Sequence, residues 1–173
     1  MIVNSHNDWD PLEEIIVGHA HHSRIATDIS ARSFSYAPFK KEDVEKLEGT
    51  YPQWVIDEAN EDADGLADAL TKMGVKVRRP KIIDWDNVNY DIGQGWNTKG
   101  WYSWCPRDLI LPLGDMLIET PTPVRARYFE TKLYEDIMYE AFEDGALWLQ
   151  APKPNLHDDM FQFDDIADKP TLL

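Results

Sequence analysis

The run Leu109-Ile110-Leu111-Pro112-Leu113-Gly114-Asp115-Met116-Leu117-Ile118-Glu119 reads as two short strands joined by a two-residue Gly-Asp turn. Beyond it, Thr120-Pro121-Thr122-Pro123 is a rigid connector, with Thr122 and Pro123 placed to cap and begin a helix. The spacing of Phe129, Leu133, Ile137 and Ala141 predicts that helix over residues 124–144, ended by Gly145. Ala146 to Leu149 is then a further strand. Strand, strand, helix, strand makes one compact ββαβ unit and places the chain in the α/β class.

Immediately upstream, Gly100-Trp101-Tyr102-Ser103-Trp104-Cys105-Pro106-Arg107-Asp108 brings two tryptophans, a tyrosine, the only cysteine and an Arg-Asp pair to the entrance of the first of these strands. An aspartate at that position, flanked by aromatic side chains that lower the local dielectric, is suited to hold a small cation such as a guanidinium. Asp108 is therefore the leading candidate site residue. Arg107 is the secondary one, its structural alternative being a partner for a nearby carboxylate. Cys105, beside a cation that would favour its thiolate, is weighed as a nucleophile against the role of a small buried hydrophobe, which its type more often fills. Trp101 and Trp104 are expected to pack between structural units.

Toward the N-terminus the pattern is looser. Ile15-Ile16-Val17 before Gly18 is a short strand. Val55, Ala59, Ala63, Leu66, Leu70 and Met73 recur at helical spacing over residues 53–73, with an acidic opposite face. Val75 to Arg78 follows as a strand, so a second strand-helix-strand set spans Glu14 to Arg78. Residues 23–52 and 86–100 read as loops, the first with a helical turn near Glu42 to Leu47, and the acidic tail 155–173 reads as a loop or frayed end. His19, His21 and His22 cluster after the first strand. No fourth ligand suggests itself and loop histidines are usually solvated, so neither metal nor other cofactor is expected.

The chain has 173 residues and a formal net charge of −15. That length suits a single domain, residues 1–173. The charge repels nucleic acid, whose phosphates require Lys and Arg clusters. A single cysteine excludes an internal disulfide framework and points to a reducing, cytoplasmic compartment. No run reaches membrane-spanning length and no leader pattern opens the chain, so neither a membrane nor a targeting role is expected.

Three blocks carry a family resemblance: Asn7-Asp8-Trp9-Asp10-Pro11-Leu12-Glu13-Glu14 and the strand after it; Arg78-Arg79-Pro80 leading to Ile83-Asp84-Trp85; and Tyr102 to Pro154 with Pro106-Arg107-Asp108, Arg125-Ala126-Arg127-Tyr128-Phe129-Glu130 and Ala151-Pro152-Lys153-Pro154. Together they resemble the amidinotransferases of the glycine and inosamine-phosphate type, in their N-terminal part only. The resemblance implies a pentein-like, pseudo-fivefold α/β propeller of ββαβ modules around a central site. This chain would form a partial propeller of about two modules, approximately 1–85 and 100–154, followed by the acidic tail.

The family chemistry it implies is transfer of the amidino group of L-arginine, through a cysteine thiolate, to glycine or another amine. In that setting Asp108 matches a family aspartate that contacts the substrate guanidinium. The family's nucleophilic cysteine and partner histidine lie in later modules, so no catalytic residue is expected in this chain. It is expected to be inactive alone, or completed by a complementary C-terminal polypeptide or by a homo-oligomer. The alternative is a non-catalytic module, derived from the same fold, that binds a guanidino ligand such as arginine or another protein.

Overall fold

A computed structural model describes residues 3–35, 43, 45–164 and 169–172. The fold is α/β with small sheets. The unit expected around the Gly-Asp turn is present: β7 (Ile110–Leu113) pairs antiparallel with β8 (Met116–Glu119), and β8 pairs parallel with β9 (Leu147–Gln150). A parallel partner requires a crossover, which here passes through α3 (Glu135–Glu143). Its cover buries Leu133, Tyr134, Met138 and Ala141 against Ile110, Leu117 and Trp85.

The second set is also there. β1 (Glu14–Ile16) lies parallel to β4 (Lys76–Arg78), with α2 (Gln53–Lys72) in the crossover. Ion pairs tie it to α3: Arg78 bridges Glu14 and Glu140, and Lys81 reaches Asp136 at 2.8 Å. Gly100 packs against Trp85, its α-carbon so close to the indole that a β-carbon would overlap the ring; at φ +100° its backbone also favours glycine.

Several expectations are corrected. Residues 124–144 are not one helix: 3-10 turns at Arg125–Arg127 and Glu130–Tyr134 precede α3. Arg125, Arg127 and Glu130 are all buried in this segment. The Tyr128 carbonyl accepts from Lys153 Nζ at 3.0 Å rather than from the next helical turn, so side-chain bonds replace the α-helical ladder. Leu66 and Met73 are exposed and Ile56 is the one buried residue of α2, because that helix lies over only two strands and Asn60 takes an inner position, accepting from the Ala20 N–H at 2.8 Å.

The segment 23–52 contains β2 (Arg24–Ile25), α1 (Ile29–Ser35) and β3 (Gly49–Thr50), with β2 and β3 antiparallel. Asp28 caps α1 by accepting from the Ser30 and Ala31 N–H groups at 2.9 and 3.3 Å. The turn expected near Glu42 to Leu47 falls partly outside the described residues. Within 86–100, β5 (Tyr90–Asp91) and β6 (Asn97–Thr98) form a small hairpin. Within the tail, β10 (Phe161–Asp164) pairs antiparallel with β11 (Lys169–Leu172), strands too short for period-two alternation to announce.

Candidate functional site

Pro106, Arg107 and Asp108 form one 3-10 turn, one residue short of β7. Proline at its first position presets φ and needs no donor there. Asp108 and Leu109 donate their N–H groups to the carbonyls of Cys105 and Pro106 at 3.3 and 3.0 Å. The hairpin clamps the turn from the other side: Thr120 Oγ1 donates to the Asp108 carbonyl at 2.6 Å, and the Thr120 N–H to that of Leu109 at 2.9 Å. The backbone under Asp108 is thus fully bonded, while its carboxylate reaches solvent.

That carboxylate already holds a guanidinium. Arg127 Nη1 donates to Asp108 Oδ2 at 2.7 Å, and Asp108 Oδ1 has no protein partner among the described residues. The dry setting expected at Asp108 is not found, since its side chain is 55% exposed. The dry partners are Arg127 and Glu130, the latter 1% exposed. Arg127 Nε donates to Glu130 Oε2 at 2.7 Å, Nη2 to the Cys105 carbonyl at 3.4 Å, and the guanidinium lies 4.9 Å from the Tyr102 ring centre. The second Glu130 oxygen accepts from the Tyr102 N–H at 3.1 Å.

Burial governs the electrostatics. It pushes the Glu130 carboxyl up to about 7, the attraction of Arg127 offsetting only part of the effect. Burial disfavours the charge on Arg127, but the pull of Glu130 and the hydrogen bonds that Arg127 donates to both carboxylates outweigh it and hold its pKa above the ordinary value. The Tyr102 phenol is pushed up to about 12 by burial. Burial also pushes the Cys105 thiol up, against the opposing pull of Arg127. A thiol so placed is protonated at neutral pH and a poor nucleophile.

Other candidates are placed elsewhere. Arg107 is exposed and forms no ion pair among the described residues. Trp101 is buried with Ala26, Ala31, Val124 and Ala126, whereas Trp104, expected to be packed, is exposed beside Tyr102. His19 is buried, with Nδ1 at 2.9 Å from Ser103 Oγ and Nε2 donating to the Lys81 carbonyl at 3.0 Å. His21 and His22 face Asn60 and Asp84. Among the described residues no group of three or more His, Cys, Asp or Glu is arranged to hold a metal. A cleft of about 500 Å³ lies on the other side of the 3-10 segment, where Lys153 lies 3.9 Å from buried Glu119.

Arg125 and Arg127 pair with carboxylates, as their charge demands: Arg125 with Asp158 at 2.6 Å, Arg127 as above. Glu130 is the site residue that the sequence alone did not single out. Its signal was the three-residue spacing from Arg127, which puts the two side chains on one side of a helical turn.

The geometry makes a two-carboxylate cradle around a planar cation, with one carboxylate dry and one wet. No family model matches the chain. It is 43% identical over 162 residues to inosamine-phosphate amidinotransferase 1 of Streptomyces glaucescens, covering 93% of this chain and 46% of that protein. To the mitochondrial glycine amidinotransferase of Xenopus tropicalis it is 35% identical over 167 residues, covering 94% and 38%. The solved structure of an inosamine-phosphate amidinotransferase from Streptomyces griseus matches with a TM-score of 0.83 at 40% identity, over 92% of this chain and 45% of that one. The chain spans less than half the length of the curated relatives it matches. Over nearly all of its own length it resembles the N-terminal part of the inosamine-phosphate and glycine amidinotransferases.

Proposed function

We propose that the chain supplies one wall of a guanidinium-handling site in an amidinotransferase, taking L-arginine as donor and glycine or another amine as acceptor. The observation that carries this is Asp108: its backbone is clamped, one carboxylate oxygen is steadied by Arg127, and the other is open to solvent. A carboxylate held this way can accept a second planar cation without reorganising. Arg107, exposed one residue away, is a weaker candidate for contacting an anionic end of the substrate.

On the same reading the chain is a single domain of about two propeller modules, near 1–85 and 100–154, working in the cytoplasm. The nucleophile lies outside the region matched here. The 173-residue chain alone should then show no amidino transfer from arginine to glycine, and adding a polypeptide that carries the remaining modules should produce turnover that Asp108→Ala abolishes. Full activity from the chain alone, or an indifferent Asp108→Ala, would sink the proposal.

A second reading, a non-catalytic module that binds a guanidino ligand, rests on the same open Asp108 carboxylate and is consistent with Cys105, whose thiol is pushed up by burial rather than lowered for attack. Calorimetry with arginine separates the two. Binding by the chain alone that persists when the complementary polypeptide yields no turnover selects the binding module.

A further inference from the structure

Lys153 follows β9 in the Ala151-Pro152-Lys153-Pro154 run, yet its ammonium is directed at the segment that carries the cradle. Its side chain is only 13% exposed. Nζ donates to the Tyr128 carbonyl at 3.0 Å and to Thr131 Oγ1 at 3.4 Å, and lies 5.2 Å from the centre of the Tyr128 ring. The two acceptors bracket Phe129 and Glu130. Its ion-pair partner, Glu119, stands 3.9 Å off and accepts hydrogen bonds instead from Trp148 Nε1 at 2.9 Å and Gln150 Nε2 at 3.2 Å. Lys153 therefore gives Glu119 a counter-charge and gives the 3-10 segment its hydrogen bonds.

Backbone bonds alone hold this segment weakly. Arg125–Arg127 and Glu130–Tyr134 are 3-10 turns, whose hydrogen-bond geometry is poorer than that of an α-helix. What grips residues 128 and 131 from outside thus sets the direction of Glu130. Glu130 in turn accepts from Arg127 Nε at 2.7 Å, and Arg127 Nη1 donates to Asp108 at 2.7 Å. Keeping an ammonium in this place carries a desolvation cost; burial holds its pKa below the usual lysine range despite the attraction of Glu119. The cleft of about 500 Å³ beside Tyr128, Thr131 and Lys153 leaves the segment room to move once that grip is lost. We infer that Lys153 is a positioning residue for Asp108, bracing residues 128–131 so that Glu130 holds Arg127 and Arg127 steadies the carboxylate for a guanidinium. The inference rests on the proposed function and deepens it by naming what keeps its site in place.

The test has two readouts. The first is hydrogen exchange at Arg127 Nε–H in the isotope-labelled chain, its signal assigned with Arg127→Lys and its rate taken relative to the amides of β7 and β8, which cancels any general loss of stability. Lys153→Met keeps the length and apolar contact without the donors, and should speed the relative exchange about tenfold or more. Thr131→Val removes one acceptor, leaves the charge on Lys153 untouched, and should act in the same direction by about threefold or more. It serves as the test if the methionine variant does not fold. Glu119→Gln removes the counter-charge but neither bond to the segment, so the relative exchange should stay within about twofold. The second readout is calorimetry with arginine and ornithine, the complementary polypeptide being present. Lys153→Met should reduce the preference for arginine about tenfold, since ornithine has no guanidinium for Asp108 to hold.

Unchanged relative exchange in Lys153→Met and Thr131→Val would overturn the inference. So would a Glu119→Gln variant that matches Lys153→Met, which would make Lys153 no more than the counter-ion of Glu119. Faster exchange with an intact arginine preference would overturn the link to Asp108. Failure of the proposed function shows separately: an arginine preference that Asp108→Ala leaves unchanged refutes the guanidinium wall, and exchange at Arg127 then still decides whether Lys153 sets the cradle.

Discussion

Glu130 gives the sharpest handle on the site, because its carboxyl is buried and its partner cation is shared. The perturbation is Glu130→Gln, which keeps the shape and removes the titration. In the folded chain burial raises this carboxyl from an ordinary value of 4.5 to about 7. Well below 4.5 the group is protonated in both the folded and the unfolded chain, and its stabilising contribution is fully present. Between 4.5 and about 7 the unfolded chain releases its proton while the folded chain keeps it, so stability falls as pH rises. Above about 7 the loss is complete. At roughly 1.4 kcal/mol per pKa unit, it amounts to about 3 kcal/mol. The assay is denaturant unfolding of both proteins across this window. Subtracting one curve from the other cancels the surface carboxylates and leaves Glu130. The wild type should lose stability relative to the variant by a few kcal/mol as pH rises. Parallel curves, or a wild type that gains, would show that the Arg127 ion pair dominates burial and would refute the reasoning.

Two further outcomes follow from local geometry. Gly18→Ala should destabilise by about 1–3 kcal/mol or more, measured as a lowered denaturation midpoint, because its β-carbon would overlap the backbone of Trp104, which cannot swing aside as a side-chain tip would. Cys105, half-buried with its thiol pKa raised, should react with iodoacetamide more slowly at neutral pH than a free thiol such as glutathione. A faster reaction would show that Arg127 outweighs burial there.

The ββαβ unit was legible in the sequence because a Gly-Asp turn between aliphatic runs and a helical stripe at Leu133, Ile137 and Ala141 are local signals with local causes. The stripe was right where α3 lies and wrong upstream of it. Between Arg125 and Tyr134 the conformation is set by where Arg125, Arg127, Glu130 and Lys153 find partners far away in sequence, and periodicity carries no record of that. The same limit explains α2: its apolar stripe marks a face, but only the packing says that Leu66 and Met73 on it are exposed among the described residues. At the site, the sequence pointed to Asp108 through its neighbours and misplaced the dryness. Burial belongs to Glu130, whose charge in isolation looked like any other in a chain of net charge −15.

The cradle has a consequence for ligand binding, if Asp108 does take a second guanidinium. The incoming cation would lie on the order of 7 Å from that of Arg127, a repulsion of about 2 kcal/mol at an effective dielectric near 20. An ionised Glu130 cancels much of that cost by neutralising Arg127; a protonated one does not. Binding must therefore favour the ionised form and draw the Glu130 pKa down from about 7, with release of a proton. Arginine affinity should strengthen as pH rises through that value, and the observed binding enthalpy near neutral pH should vary with the ionisation enthalpy of the buffer. Glu130→Gln should abolish the buffer dependence while leaving Asp108 in place. Buffer-independent enthalpies in the wild type would mean that a bound guanidinium and Glu130 do not sense each other, and that Arg127 gives way when the ligand arrives instead of sharing Asp108 with it.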